Sequence, residues 1–487
     1  MAAPASKPIP YTANPLLLMV NDLMLFAEIT FTWPITAGLP SIVLPLFPTR
    51  SGSLDELAVT RANLWAAFLH VVLIIAQTIF LGSLVPLAFI GLPSFYLLYI
   101  VGFVMGNQWF TVLLNGPRRR GLFESNPACV RGKPAHDHEK WVFINGVAVG
   151  RHWLQSNLDR LAMTFRRPVF GIHNQTRGII FDVLECIIQR DLNYATLDIR
   201  TAYAAMVEIL SDDNIQKVVL ILHSQGAIEG GLVLDWLYDT VPADQLSKLE
   251  VYTFGNAANH WNAPVISSSA SSRANGDSVT EQRIVPHIEH YANEGDYVSR
   301  FGILHFRPDQ PLPPASVPNN TPFAPSSRTS HPEKPKASDN EASRTTRPTP
   351  PKVDTREKVV AASSRSLLSP KTPIEMMDLR EEETNLFFGR LFKRIGSGHQ
   401  LNQHYLDNVF EMEGLDSNDL SRGRVRDGNA FMDADVDENV FRDWDTVQAV
   451  GRPAGTRPAN GRPVAPRRQI KELSRLWAYR NGRSPED

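Results

Sequence analysis

Between Ala62 and Pro117 the chain carries no Asp, Glu, Lys or Arg. One helical crossing of a hydrocarbon core takes about 20 residues, so the run is long enough for two. The spans are about Leu64 to Val85 (LWAAFLHVVLIIAQTIFLGSLV) and about Ser94 to Leu114 (SFYLLYIVGFVMGNQWFTVLL), with Pro86 to Pro93 as the turn. Both are apolar all round, whereas a helix on the surface of a soluble core keeps a polar stripe. This predicts a transmembrane helical hairpin over residues 61–120. Arg61 precedes it and Arg118, Arg119 and Arg120 follow it, so the positive-inside bias makes the protein multi-pass with both hairpin ends, and everything after Arg120, in the cytosol. Within the N-terminal region 1–60, the apolar stretch Leu16 to Trp33 carries Asp22 and Glu28. A charge at mid-bilayer costs about 2.5 to 3.5 kcal/mol, which predicts an interfacial helix and not a third span. The first residues, MAAPASKPIPYTANP, with one lysine and several prolines, make a poor signal-peptide start.

Composition narrows the function classes. Lys and Arg total 49 against 51 Asp and Glu in 487 residues, so no global positive field exists to hold nucleic acid. The two cysteines, Cys129 and Cys186, exclude a disulfide scaffold and lack zinc-site spacing.

After the hairpin, short apolar runs alternate with helical stretches, the pattern of an α/β chain with a mostly parallel sheet. Expected strands are Trp141–Asn145, Pro168–Ile172, Val218–Leu222, Val251–Phe254 and His287–Tyr291, with helices over Trp153–Phe165, Thr196–Leu210 and Gln225–Tyr238. Residues 121–306 thus form the first part of a core. Residues 307–373 hold about fourteen of the 36 prolines and read as a disordered Pro/Ser/Thr-rich insertion. The core resumes over 374–412, and 413–487 reads as a charged flexible tail. Insertion and tail are the segments expected to dock protein partners.

KVVLILHSQGAIEGGLVLDWLY, Lys217 to Tyr238, is a strand, a tight turn with a serine, and a helix. It resembles the nucleophile elbow of the α/β hydrolases, in which strain at the turn projects the serine hydroxyl above the sheet. Leu222, His223, Ser224, Gln225 and Gly226 stand at the G-x-S-x-G positions, so leucine replaces the first glycine. The departure implies either an opened turn or a silent site. The segments VYTFGNAANH and HYANEGDYVSRFG resemble the class 3 lipase pattern, in which a TFG strand end precedes N-x-x-D-x-V. With GHQLNQHYLDNVF, the whole is similar to fungal membrane-anchored lipase-like proteins.

The resemblance covers about Lys140 to Asn408 outside the insertion, and implies an α/β-hydrolase fold with a Ser-Asp-His triad on lipid or acyl esters. Ser224 would be the nucleophile, Asp296 the acid and His404 the base, with His399 as the alternative; His305 lies close to the acid and His331 inside the insertion. His404 is preferred because such histidines often open the last helix with an aromatic behind, here Tyr405. Gln225, with Gly146 and Val147 after Asn145, would hold the oxyanion. The loop His173–Gly178 follows a strand end and is expected to line the pocket. No cofactor, metal or nucleic acid is expected: there is no G-x-G-x-x-G, Walker loop or H-E-x-x-H, and His399 and His404 miss the i, i+4 register of a helical metal pair.

Overall fold

Alternation along the strands divides the core in two. Trp141, Phe143, Val219, Ile221, Tyr252, Phe254, Tyr291 and Phe392 belong to one buried cluster. Val142, Ile144, Val218, Leu220, Leu222, Val251, Ile288 and Leu391 belong to another. Successive side chains of a strand point to opposite faces, so these clusters are the two sides of one sheet covered on both faces.

The computed structural model describes residues 10–32, 34–117, 122–133, 136–265, 283–307, 387–416, 419–437, 446–448 and 467–486. The helices begin with α1 (Pro15–Thr30), α2 (Arg61–Ile90) and α3 (Pro93–Asn115). The edge strand β1 (Phe123–Glu124) follows, then β2 (Glu139–Ile144), α4 (Arg151–Phe165), β3 (Val169–Ile172), α5 (Ile179–Leu192), α6 (Leu197–Leu210), β4 (Lys217–His223) and α7 (Gln225–Thr240). After α8 (Ala243–Leu246) come β5 (Leu249–Phe254), β6 (His287–Asn293), α9 (Tyr297–Phe301), α10 (Ile303–Phe306) and β7 (Arg390–Arg394). The pairs β8 (Met412–Glu413) with β9 (Arg424–Val425), and β10 (Asp435–Asp437) with β12 (Arg467–Gln469), form small sheets, while β11 (Thr446–Gln448) joins the main one.

Among the described residues the main sheet has the order β1-β3-β2-β4-β5-β6-β7-β11. Every pairing in it is parallel except that of β1 with β3. The chain leaves β2 for β3 on one side, then crosses back to β4 on the other. The order therefore reverses at β2 and β4, the place where open α/β sheets bind ligands at their C-terminal edge. The register aligns that edge: Ile144 pairs with Leu222, His223 with Phe254, and Phe254 with Tyr291.

α2 and α3 are long and apolar enough to cross a membrane. Both also touch the core. Asn63, Ala66, Leu69, His70, Leu73, Gln77 and Phe80 form a buried stripe at helical spacing along α2. α1 lies across the core rather than free at an interface, since Asp22 pairs with the buried Arg190 and Leu25 and Ile29 pack on Tyr297. Its outer face, including Leu16, Leu23 and Met24, stays exposed.

The flexible-tail expectation for 413–487 needs correction over its described parts. Ile470, Leu473, Leu476, Trp477 and Tyr479 are buried in the same cluster as β2. The buried Glu250 accepts hydrogen bonds from Tyr252 (2.7 Å), from Tyr479 (2.9 and 3.0 Å) and from the Arg475 guanidinium (2.9 Å). Glu289 accepts from Tyr291 Oη (2.7 Å) and from the Arg475 N–H (2.7 Å). Composition misled because Arg475 meets the buried Glu250 and Glu289 instead of water, while the apolar residues around it pack on the sheet. The insertion 307–373, apart from Arg307, the stretch 374–386, Arg118–Arg120 and His331 lie outside the described residues.

Candidate active site

β4 ends in an unbroken apolar run and α7 begins at once with small residues, so the turn between them has no spare length. Ser224 absorbs it, adopting φ 60°, ψ −124°. A non-glycine residue held there is strained and persists only where its surroundings fix it. Its N–H donates to Phe254 O (3.0 Å) and its carbonyl accepts from Ala227 N (3.0 Å).

Two glycines make room for the elbow. A Cβ on Gly226 would lie 2.4 Å from Ile144 O, and one on Gly146 would lie 2.3 Å from Ser224 Cβ. The loop after β2 therefore runs directly against the serine at Gly146. Leu222, which stands where the family pattern has glycine, is fully buried against Gly230 of α7: a Cβ on Gly230 would lie 2.3 Å from Leu222 Cδ1. Strand and helix approach closely here, with the small residue on the second turn of the helix rather than on the strand.

Asp296 begins α9 just past the end of β6, and His399 lies in the loop after β7. His399 Nδ1 donates to Asp296 Oδ2 (2.9 Å). The same oxygen accepts from Tyr405 Oη (2.6 Å) and Ser299 Oγ (3.0 Å), while Oδ1 accepts from Val298 N (2.9 Å). Burial would raise this carboxyl, but His399, Tyr405 and the Val298 N–H outweigh it and hold Asp296 below the usual carboxylate range. It is an ionised carboxylate that fixes the His399 tautomer and leaves Nε2 as the basic nitrogen.

The expectation for His404 is corrected. Its Nδ1 accepts from Gln400 N (2.9 Å), so Nε2 carries the proton and donates to Pro45 O (2.8 Å). Both ring nitrogens are engaged away from Asp296, and burial lowers the pKa of His404. It lies within the π-helical turn Leu401–Leu406, whose Tyr405 reaches the acid instead.

Two neighbours hold His399 at the C-terminal ends of β4 and β5. His223, adjacent to Ser224, stacks on it at 4.6 Å between ring centroids and donates from Nε2 to His399 O (2.8 Å). Burial, and then the nearby His399, push His223 down to about 3, so it is a neutral hydrogen-bond donor. Gly255, at φ +58°, follows Phe254; a Cβ there would sit 2.8 Å from His399 Cε1. Ser224 is 4% and His399 6% exposed, and the Ser224 hydroxyl makes no hydrogen bond among the described residues. His399 N also donates to Ile42 O (3.2 Å), so the 34–48 segment runs along the histidine loop.

The side of Ser224 facing Gly146 and Gln225 is braced by amides. Asn145 donates to Gly146 O (3.0 Å) and to Asn174 O (2.8 Å), and Asn174 donates to Gln225 Oε1 (2.9 Å). Gln225 in turn donates to Gln189 Oε1 (3.0 Å). Asp182 Oδ2 accepts from Ala148 N (3.0 Å) and Thr176 Oγ1 (2.6 Å), and Oδ1 from Arg177 N (2.7 Å). Burial raises its pKa to about 6 despite these donors. The expected pocket-lining loop does line a groove of about 1110 Å³ through His173, Gln175, Thr176 and Arg177, but that groove lies between α3 and α6 and does not include Ser224. No group of three or more His, Cys, Asp or Glu side chains positioned to hold a metal ion occurs among the described residues.

Sequence reasoning missed Tyr405 and Ser299 as donors to Asp296, Gly255 beneath His399, Gly230 beneath Leu222, and Asp182. Only the glycines carried a local signal, in TFG and EGG. Comparison with protein-family models, with curated proteins and with solved structures gives no match.

Proposed function

We propose that this α/β chain is a membrane-anchored serine hydrolase of α/β-hydrolase fold that cleaves lipid or acyl esters. The observation that carries the reading is the strained Ser224 between β4 and α7, at the sheet edge where Asp296 holds His399 in one tautomer. Such strain is maintained where it serves a site, and a buried Asp–His pair beside a serine is the arrangement that activates it.

In this reading Ser224 Oγ attacks the ester carbonyl while its proton passes to His399 Nε2. The tetrahedral oxyanion is met by the Gln225 N–H and by the Gly146–Val147 loop. Collapse expels the alcohol, which takes the proton back from His399, and water repeats the sequence on the acyl-serine. Asp296 stays ionised and stabilises the imidazolium. The charge-free hairpin α2–α3 supports placing the site at a membrane, with the core facing the cytosol on the side of Arg61 and Arg118–Arg120.

A second reading, a catalytically silent scaffold, is favoured by the burial of Ser224. Fluorophosphonate labelling of the full-length protein in membranes separates the two. Labelling of wild type, lost in Ser224→Ala and His399→Ala and retained in folded His404→Ala, is the expected result. A folded wild type that stays unlabelled in the presence of lipid vesicles supports the scaffold.

A further inference from the structure

The hairpin and the core share a long boundary, and that boundary limits how far the hairpin can enter a membrane. Phe80 of α2 stacks on Phe103 of α3 (4.0 Å), and both meet Phe181 of α5 edge-on (6.2 and 6.1 Å). Toward the hairpin ends from this level, polar side chains clamp the helices to the core. Gln77 and Asn107 both donate to Arg177 O (2.7 and 2.9 Å), and Asn115 donates to Thr176 O (2.8 Å). Beyond Phe80 and Phe103 the burial ends: from Leu81 to Gly102 not one residue is buried.

The free part is therefore Leu81–Ile90 and Pro93–Gly102, and at 1.5 Å per residue each limb reaches about 15 Å. A bilayer core is about 30 Å thick. The limbs can cross one leaflet and not two, and any tilt shortens their reach. A slab of full thickness measured from the tip would extend down α2 past Gln77. It would take in the Arg177–Glu185 ion pair (3.3 Å), whose guanidinium is 44% exposed, and ionised groups do not sit exposed in hydrocarbon.

From these distances we infer that α2–α3 is a re-entrant wedge that enters one leaflet and turns back, so the core and the hairpin ends share one side and no segment of the hairpin crosses. The inference rests on the membrane reading above and replaces the two-span topology expected from the sequence. Lipid is the occupant because the tip is apolar on all sides: Val85, Phe89, Ile90, Leu92, Phe95 and Leu98 are each more than half exposed. A protein partner covers one face; a surrounding solvent of lipid tails covers all. Below the tip the outward side chains of α2, Trp65, Phe68 and Ile75, remain apolar, which fits a hairpin lying obliquely with its outer face against the same leaflet.

The test uses the full chain reconstituted into phosphatidylcholine vesicles, with Leu92→Cys or Ile90→Cys at the tip and Asp213→Cys, exposed on the core, as the reference. Labelling of the parent protein through Cys129 and Cys186 is subtracted. After an alkaline carbonate wash the protein stays with the vesicles. Asp213→Cys then reacts with an impermeant maleimide from outside, while the tip thiols react at least tenfold more slowly, whether or not a pore-forming toxin has opened the lumen. In detergent the tip thiols react at the reference rate. Tip labelling gained on opening the lumen means a spanning hairpin and overturns the wedge. Tip labelling from outside in sealed vesicles means no insertion and overturns it too. Silence that persists in detergent means a second copy or another protein covers the tip. Release by carbonate removes the membrane reading itself, and none of these outcomes depends on hydrolysis.

Discussion

Gly255→Ala separates the strain of a left-handed residue from the position of the His399 imidazole, the base of the proposed mechanism. At φ +58° the added methyl costs on the order of 1 to 2 kcal/mol of backbone strain. It would also stand 2.8 Å from His399 Cε1, 2.9 Å from Nδ1 and 3.1 Å from Asp296 Oδ2, closer than carbon tolerates. Asp296 is fixed by three donors besides the ring, Tyr405, Ser299 and the Val298 N–H, so the movable partner is the ring. A displacement of several tenths of an ångström to 1 Å follows, and misplacement on that scale costs about 10²-fold in rate. Gly132→Ala is the matched control, since Gly132 has φ +70° and open space where the methyl would go. Gly132→Ala should lose only the strain cost in chemical denaturation, and Gly255→Ala that cost plus a further one for displacing its neighbours. Only Gly255→Ala should lose fluorophosphonate labelling, by about 10²-fold. Equal labelling rates in the two folded variants would refute the placement of His399 as the base.

Three further outcomes follow from the same contacts. Gly230→Ala and Leu222→Ala should each destabilise, the leucine change by about 2 to 5 kcal/mol, yet the double variant should be more stable than the sum, because the new methyl fills space vacated by Leu222; strict additivity in urea unfolding rejects that packing. Asp182, raised to about 6 by burial, binds its proton more tightly folded than unfolded (3.8), so its contribution, on the order of 3 kcal/mol, is present below pH 4 and lost as pH rises to 6. Asp182→Asn should remove that part of the slope, and a pH–stability profile unchanged by the substitution rejects it. Trp477→Ala, at a side chain 2% exposed, should cost about 3 to 5 kcal/mol, whereas a freely solvated tail predicts no change in the denaturation midpoint.

How much of this was legible depended on the reach of each interaction. The strands were readable because Val218–Leu222 and Val251–Phe254 are short apolar runs whose neighbours are parallel strands buried on both faces. The serine turn was readable because its strain is local, set by a strand and a helix with the single residue Ser224 between them. The hairpin was found from the absence of charge, but its depth was not. That depth depends on Gln77 and Asn107 meeting Arg177 O, 100 and 70 residues away in sequence. The tail was misread for the same reason: Arg475 and Tyr479 look solvated until Glu250 and Glu289 are placed opposite them.

The choice between the two histidines shows where local reading ends. In GHQLNQHY both are equally near the acid in sequence, and the aromatic behind His404 is the residue that drew the inference toward it. The structure assigns that aromatic a different task. Tyr405 donates to Asp296 Oδ2 from the same turn that carries His404, and this fills the side of the carboxylate a second imidazole would need. His404 is then held by Pro45 O, 359 residues earlier in the chain, while His399 takes the remaining place on Asp296, 103 residues away. A motif specifies which residue types can serve; which of two copies does so is decided by the acceptor each ring finds, and here one acceptor comes from the N-terminal segment that precedes the hairpin.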